Sequence, residues 1–516
     1  MAAIITDQIR ILNAKNFVSG VTTSDNSYYA FVGLPNPTDI QLDWDDDPPS
    51  PVDNFSQVND TWDTMIAMKK ITPDDIKLVI RKVSWNSGTT YDYYRHDYGI
   101  SNIPKNANGT SLYSANYYAI NSDFRVYICL DNGTDPENVD GRPSLDEPTF
   151  TDLEPRAAGT SGDGYIWKYL YTIKPSDLIK FDSTEFMPVP LNWETNNDHA
   201  AIRDNAVDGS IKTVIVQFRG VGLGTANRTY TRVPIKGDGS DAECTVVINN
   251  DQQIDSVTIS NPGKDYSFGN VDLIAGNVPS GTDVPELDVI ISPPGGHGKD
   301  IYRELGAKNA LMYARIENDD ENPDFITGNQ VSRIGIVKNP KGYNSTSNIS
   351  LSKASAVYAM RLVGTGYSSA TFTADSTITQ TVGTGATAIG RVINYDPITG
   401  VLKYWQDRTL AGFNTDGTAQ TNPQYGYELT RFSNSISGNG SFSIVGTTAG
   451  LSISTTFSGL STTLNNRTYY LGQSFTNGLS NPEVKKYSGD IIYIDNRPAI
   501  TRSSNQKEDI KIILQF

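Results

Sequence analysis

The chain is poor in the residues that most often build disulfide frameworks, metal sites and catalytic centres. Its 516 residues include two cysteines, Cys129 and Cys244, and three histidines, His96, His199 and His297. Two distant cysteines are too few for a disulfide framework or a zinc site, so we expect both to be buried thiols. No His-Glu-x-x-His or Cys-x-x-Cys spacing occurs, and each histidine is expected at the surface. The sequence therefore predicts no cofactor and no metal.

Positive charge and long apolar runs are also lacking. The formal net charge is -16, which would repel a phosphate backbone, so nucleic-acid binding is not expected. No run reaches the roughly 18 apolar residues of a membrane span, and the first residues lack the basic stretch of a secretion signal. We expect a protein that is made in a cytoplasm and does not insert into a membrane.

What the chain does contain favours strands and turns. Apolar residues make up 37% and charged residues 19%, and there are 44 glycines among abundant Ser, Thr, Asn and Tyr. Apolar residues alternate over 509–516, with Ile510, Ile512, Leu514 and Phe516 on one face. Apolar runs at 124–130, 165–173 and 491–494 predict further strands. We predict a mainly β protein with a few short helices and long loops.

The N-terminal part is expected to hold an extended segment, a loop and two short helices. Residues 16–34 are predicted to be extended, and the Pro- and Asp-rich segment 45–51 to be an exposed loop. Trp62, Met65, Ile66 and Lys69 have helical spacing, and Thr72-Pro73-Asp74-Asp75 is typical of a helix start. Seven tyrosines between 91 and 118 suggest a half-wet surface.

Two clusters of acidic residues, at 43–47 and 317–321, are the best candidates for carboxylate chemistry. Both lie in Pro- and Asn-rich sequence, and we interpret them as solvated loop tips. A calcium site is the alternative, because hard cations favour oxygen-rich loops. A glycosidase would need two of these carboxylates facing each other across a groove.

Two segments look like copies of one small β module. The first begins at Gly237-Asp238-Gly239 and the second at Gly383-Thr384-Gly385, and each continues into a Val-Ile-Asn stretch. Residues 434–463 are almost wholly Ser, Gly, Thr, Asn and small apolar residues. This composition predicts short exposed strands, with disorder as the alternative.

Four blocks of sequence, in one order along the chain, carry a family resemblance. The last is 487–498, which contains the pattern Gly-Asp-x-Ile-Tyr-x-x-Asn-Arg-Pro. The others are 61–66 with the basic segment 81–85, then 126–131, then 162–170, and a looser match covers 309–340. Together they resemble the baseplate wedge subunit of T-even-type contractile phage tails, the wedge protein that forms a dimer.

The resemblance implies a β-sandwich-like core, a homodimer and contacts with other baseplate wedge proteins, as expected of a structural protein in the virion's tail baseplate. It covers 1–205, 300–341 and 478–516, so we predict that 206–299 and 342–477 are inserted β modules. A non-enzymatic scaffold is the preferred interpretation. A receptor- or glycan-binding tail protein and a polysaccharide hydrolase remain as alternatives, and the hydrolase ranks last.

Candidate motif or interface residues come from the matched blocks. The tryptophans are interpreted as core or subunit-interface anchors, and Arg497 as one half of a bidentate ion pair with a carboxylate near the turn. The full set is Trp62, Trp85, Gly162, Asp163, Gly164, Tyr165, Trp167, Gly489, Asp490, Tyr493, Asn496, Arg497 and Pro498.

Overall fold

A computed structural model describes most of the chain. It covers residues 6–22, 25–38, 43–317, 329–383, 386–407, 430–434, 442–444, 450–503 and 506–516. The helices in these ranges are α1 (Asp7–Thr22), α2 (Phe55–Thr64), α3 (Pro175–Phe181), α4 (Ala200–Asp204) and α5 (Ile301–Leu305). None of these helices is both long and apolar enough to cross a membrane.

Strands dominate, so the mainly β prediction is confirmed. They are β1 (Tyr28–Gly33), β2 (Met65–Ile71), β3 (Ile76–Arg81), β4 (Tyr118–Ile120), β5 (Arg125–Asn132), β6 (Tyr165–Thr172), β7 (Phe186–Pro188), β8 (Ile211–Phe218), β9 (Thr229–Gly237), β10 (Ser240–Ile248), β11 (Ile254–Lys264), β12 (Gly269–Val271), β13 (Glu286–Ile291), β14 (Asn309–Glu317), β15 (Gln330–Lys338), β16 (Lys353–Ser355), β17 (Tyr358–Gly364), β18 (Thr377–Gly383), β19 (Ala386–Asp396), β20 (Val401–Trp405), β21 (Phe442–Ile444), β22 (Leu451–Ile453), β23 (Gly459–Leu464), β24 (Arg467–Phe475), β25 (Leu479–Ser480), β26 (Asp490–Thr501) and β27 (Lys507–Gln515).

The chain divides into two compact units. One comprises Met1–Val18, Lys77–Leu311 and Ile513–Phe516, and the other comprises Ser19–Ile76 and Met312–Ile512. The division into five segments expected from the sequence remains a prediction.

The first unit contains a small closed ring of strands. Strands β11, β10, β9 and β12 form one antiparallel sheet, β8 pairs with β13, β8 lies against β11, and β12 lies against β13. The apolar residues between them form a core drawn entirely from 211–291, and Cys244 is fully buried in it. A second antiparallel sheet, β4-β5-β6, places Cys129 opposite Trp167. Both cysteines are free and buried, as predicted.

The two largest sheets of the second unit, among its described residues, are antiparallel. Five strands in the order β16-β2-β1-β15-β26 cover a core that contains Tyr29, Trp62 and Met68. A larger sheet runs β21-β18-β19-β20-β17-β22, and β25 also pairs with β17. Its core residues all lie between 358 and 479. The hairpin β23-β24 forms a separate two-stranded sheet.

The two segments with repeated glycine motifs have similar local structure. Strands β9, β10 and β11 form an antiparallel meander, and so do β18, β19 and β20. The first strand ends at Gly237 in one meander and at Gly383 in the other. Thr384 and Gly385 lie outside the described residues.

Three predictions about the N-terminal part were only partly right or wrong: Tyr28–Gly33 is extended and Trp62 lies in a helix, as expected, but the other features differ. Residues 16–22 belong to helix α1, whose buried positions Ile11, Ala14, Val18 and Val21 begin upstream of the segment interpreted as extended. The helix around Trp62 ends at Thr64, and strand β2 begins at Met65, with Met65 to Met68 all buried. Such a continuous apolar run has no periodicity that distinguishes a helix from a strand. The Thr72 capping box starts a single 3₁₀ turn, after which β3 begins at Ile76.

The chain enters and leaves the larger sheet of the second unit at nearly the same place. The Ser355 carbonyl accepts from Glu483 N at 2.8 Å, and Ser355 N donates to Glu483 Oε2 at 2.8 Å. Removing 358–480 and joining the ends with a short glycine linker is expected to leave a folded protein. The reason is that the core under the five-stranded sheet and the core of the larger sheet share no residue. Circular dichroism and size-exclusion chromatography would check this result.

A matched deletion sharpens the test. Removing 343–476 also takes away β16 and the core residues Ile349, Ala354 and Ala356, so this variant is expected to be less soluble. An insoluble 358–480 deletion would show that the larger sheet is needed for the rest of the unit to fold.

Candidate binding site

The candidate residues fall into two groups, one in each unit. Trp85, Gly162, Asp163, Gly164, Tyr165 and Trp167 lie in the first unit, and Trp62, Gly489, Asp490, Tyr493, Asn496, Arg497 and Pro498 in the second. Three of the six residues of the first group are buried, namely Asp163, Tyr165 and Trp167, whereas most of the second group follows strand β26, which has no buried residue.

The backbone conformation of the Gly162-Asp163-Gly164 turn explains why it contains two glycines. Gly162 and Gly164 have φ values of 70° and 88°, a region in which side chains other than glycine are strained. A Cβ on Gly164 would lie 2.7 Å from Gly133 Cα. The Asp163 carboxylate accepts from Leu145 N at 2.8 Å and from Tyr165 N at 3.0 Å. These contacts make the motif structural.

An aromatic cluster follows this turn at the start of β6. Tyr165 stacks on Trp167 with ring centroids 5.4 Å apart, and the Tyr91 ring meets Trp167 edge-on at 5.7 Å. The Tyr165 hydroxyl donates to the Arg142 carbonyl at 2.7 Å and accepts from Tyr91 N at 2.9 Å. Burial raises the pKa of Tyr165. Trp167 is therefore a core residue, and Trp85 is a half-buried one whose Nε1 donates to Ser144 Oγ at 3.1 Å.

The expectation that these tyrosines lie on a partly solvent-exposed surface is wrong for most of them. Five are buried, namely Tyr91, Tyr93, Tyr94, Tyr117 and Tyr118. Their hydroxyls reach partners inside the protein: Tyr118 donates to the Arg81 carbonyl at 2.8 Å, and Tyr117 donates to the Glu304 carbonyl. Composition alone could not show that these backbone acceptors would be present.

A buried His–Glu pair also contradicts the expectation of surface histidines. His297 is 5% exposed and Glu304 is 2% exposed. His297 Nδ1 lies 2.6 Å from Glu304 Oε1. His96 is exposed as predicted, and His199 is half-buried against Trp193. Within the described ranges, no three His, Cys, Asp or Glu side chains converge as a metal site.

The second group of candidate residues lies along β26, the edge strand of its five-stranded sheet. Gly489 has a φ of 76° and approaches the Lys338 carbonyl too closely for any side chain. Asp490 begins the strand, and Pro498 lies near its end, where a missing N–H is tolerated on an edge. Trp62 is fully buried in the core beneath this sheet, together with the partly buried Ile491 and Ile494.

The acidic loop predicted to be a solvated tip covers part of that edge. Trp44 Nε1 donates to the Arg497 carbonyl at 2.9 Å, and Asp45 Oδ1 accepts from Ala499 N at 2.9 Å. Asn496 Nδ2 donates to the Pro49 carbonyl at 2.8 Å. Asp45 and its neighbours remain exposed, but Trp44 is 3% exposed, an anchor that sequence reasoning missed. The second acidic cluster lies outside the described residues beyond Glu317.

Strands β26 and β27 border a cavity of about 370 Å³. Its lining is largely apolar and includes the candidate residues Tyr493, Arg497 and Pro498. The apolar lining side chains are Val32, Ile66, Ile316, Val331, Ile334, Ile500, Ile510 and Ile512. The buried positions Ile510 and Ile512 confirm the alternation predicted for the last strand.

Most charged residues that line the cavity occur in ion pairs. Arg497 Nε lies 2.6 Å from Asp495 Oδ2, so the expected carboxylate partner is present, in contact through Nε rather than as the bidentate pair expected. Arg502 Nε lies 2.8 Å from Glu508 Oε1. Arg315 Nε donates to Asp509 Oδ1 at 2.7 Å, and this hydrogen bond lowers the pKa of Asp509. Such a cavity suits an uncharged, apolar occupant.

Comparison with known proteins bears on the resemblance predicted from the sequence. No protein-family model matches the chain. One similar protein is the baseplate wedge protein gp8 of Enterobacteria phage T4, with 28% identity over 218 residues. The match covers 38% of this chain and 63% of gp8, so the chain spans less than two thirds of that relative. Part of the chain is thus related to a phage baseplate protein.

Proposed function

We propose that this protein is a structural subunit of a phage tail baseplate, without catalytic activity, that holds neighbouring wedge proteins through preformed surfaces. In this proposal it is a homodimer, is assembled in the host cytoplasm and needs no cofactor. The observation that carries the proposal is the 28% identity over 218 residues to a baseplate wedge protein.

The cavity beside β26 supports a role in binding neighbours. Protein interfaces combine an apolar centre with a polar rim, and their strongest contacts are side chains that fill such pockets. The lining isoleucines provide the apolar part of such a contact, and the exposed Arg497, paired with Asp495, provides a polar edge. We infer that an apolar side chain of a neighbouring wedge protein fills this cavity.

Light scattering tests the proposed assembly. The purified protein is expected to have the molar mass of a dimer, and to enter a larger complex when mixed with the other wedge proteins of the same phage. A monomer or trimer that does not bind those proteins would contradict the scaffold role and favour a receptor-binding one.

Substitution at the cavity tests the binding surface. Ile500 lines the cavity and is 60% exposed, so Ile500→Arg is expected to leave the fold intact. It should weaken binding of the neighbouring wedge protein by about tenfold or more, because a charge would enter an apolar contact. Titration of the labelled protein with its neighbours measures the change.

A control on the same strand separates the cavity from general effects of charge. Ile492 is 40% exposed, and it is not among the residues that line the cavity. Ile492→Arg should therefore bind neighbours as the unchanged protein does. Equal binding by both variants would remove the cavity from the proposal while leaving the light-scattering result to decide the scaffold role.

A further inference from the structure

A cationic, acid-free region stands out in this acidic protein. The chain has 58 Asp and Glu residues, yet from Leu429 to Pro482 there is not one, whereas Arg431 and Arg467 fall in that stretch. Carboxylates elsewhere give the chain its net charge of -16. Anions are repelled by most of such a surface, so a region without carboxylates is where an anionic ligand would meet least opposition.

The hairpin β23-β24 presents one of these arginines. Its two-residue turn, Asn465-Asn466, has positive φ values of 50° and 63°, the geometry that matches the twist of paired strands. Thr462 lies opposite Tyr469, and Leu464 lies opposite Arg467. Opposed residues and those two positions apart share a face, so these four side chains lie on one side of the hairpin.

A second arginine reaches the same side of the hairpin from β17. Arg361 Nη1 donates to Thr462 Oγ1 at 3.2 Å, and its guanidinium lies 4.0 Å from the centre of the Phe457 ring. The Arg467 guanidinium lies 5.3 Å from the centre of the Tyr469 ring. Aromatic rings hold both guanidinium groups, which reduces the freedom that each would lose on binding a ligand.

Neither guanidinium has a carboxylate partner within 4 Å among the described side chains. By contrast, the buried Arg391 of the same unit lies 2.7 Å from Asp407. Burial lowers the pKa of Arg361, which means that its charge is held where water solvates it poorly. An incoming anion would supply the missing partner for both groups.

We propose that this face of the hairpin binds an acidic oligosaccharide through Arg361 and Arg467. The ligand class is a sugar chain bearing carboxylate or phosphate groups. The guanidinium groups pair with the anions, and the Thr462 hydroxyl meets a sugar hydroxyl. A protein partner fits less well, because the face offers two half-buried rings and few exposed apolar anchors, whereas a protein interface of standard size needs roughly 800 Å² on each side.

Calorimetric titration of the full-length protein tests this site. The probes are oligomers of galacturonic acid, phosphorylated mannose oligomers and neutral galactose oligomers of matched length. We expect binding to one or both acidic probes, weakening with added salt, and none to the neutral probe. The stronger of the two acidic probes identifies the preferred anion. Equal binding to the neutral probe would overturn the proposal.

Two variants and a matched control locate the site. Arg467→Gln, on the exposed hairpin, and Arg361→Gln are each expected to weaken acidic-probe binding by about tenfold, the effect of losing one charge-assisted hydrogen bond. Arg228 lies 5.0 Å from the Tyr230 ring in the same two-residue spacing, but in the first unit. Arg228→Gln should bind as the unchanged protein does.

Two outcomes would contradict the inference. Binding of acidic sugar oligomers that survives both Arg467→Gln and Arg361→Gln would place the site elsewhere. Poly-glutamate that binds more tightly than any sugar probe, with the same loss in both variants, would make an acidic protein the ligand. Circular dichroism melting of each variant confirms that the loss of binding does not reflect unfolding.

Discussion

Replacing Trp167 by alanine is expected to destabilise the first unit by about 3–5 kcal/mol, the usual cost of removing a large buried aromatic side chain. Trp167 is fully buried, stacks on Tyr165 at 5.4 Å and meets Tyr91 edge-on at 5.7 Å. Its removal would leave a cavity that the rigid neighbouring strands of β4-β5-β6 cannot close. Urea unfolding followed by circular dichroism measures the loss.

Trp85 offers a matched control for this substitution. It is half-buried and its Nε1 donates one hydrogen bond to Ser144 Oγ, so Trp85→Ala is expected to cost clearly less than Trp167→Ala. A Trp167→Ala protein that unfolds like the unchanged one but no longer binds its neighbours would contradict the core role. Trp167 would then be the interface anchor that the sequence left open.

Local patterns predicted the strands that have a strong period or a clear end. The alternation of the last strand, the run at 124–130 and the Gly162-Asp163-Gly164 turn before β6 all correspond to observed elements. Each depends on neighbours in sequence, which a pattern can capture. Helix α1 was missed because its buried positions start at Ile11, ahead of the aromatic segment that suggested extension.

The stretch from Trp62 to Lys69 shows where such patterns fail. Met65 and Ile66 are buried in β2, whose neighbours β1 and β16 are close only in the folded chain. A strand covered on both faces is apolar throughout, so its residues satisfy the spacing of a helix as well as that of a strand. Tertiary pairing therefore decided the element.

The candidate site was predictable only in part for the same reason. The motif from Gly489 to Pro498 identified β26, but the cavity beside it also needs Val32, Ile66 and Ile316, which are distant in sequence. The anchor Trp44 could have been suspected, since it is a lone large aromatic residue within an acidic, proline-rich loop. Its partner, the Arg497 carbonyl, carries no sequence signal.

Glu304→Ala is expected to destabilise the first unit by about 3–5 kcal/mol, because it breaks a buried polar pair and leaves the partners without an acceptor. Glu304 Oε1 lies 2.6 Å from His297 Nδ1, and Oε2 accepts from Gly298 N at 2.7 Å. The His297 ring also packs edge-on against Tyr94 at 4.7 Å, so it cannot turn toward water without disturbing the aromatic core. Thermal melting followed by circular dichroism measures the loss.

The pH dependence of the Glu304→Ala protein provides a second, independent readout. Burial lowers the pKa of Lys168, and the charge of Glu304 opposes that effect, so the variant should hold Lys168 at a still lower pKa. Between this folded-state pKa and the unfolded value of about 10.4, the unfolded chain binds more protons, so stability rises with pH. The difference in melting temperature between the variant and the unchanged protein should therefore shrink as pH rises toward that value.

Glu304→Gln separates the charge of this side chain from its shape. The amide keeps one acceptor for His297 or Gly298 and fills the same volume, so we expect a smaller loss than for Glu304→Ala, while the pH effect on Lys168 remains. If Glu304→Ala melts like the unchanged protein, the pair contributes no net stability and its two members are merely accommodated. A Glu304→Gln protein as unstable as Glu304→Ala would instead assign the stabilisation to the carboxylate charge acting on His297 and Lys168.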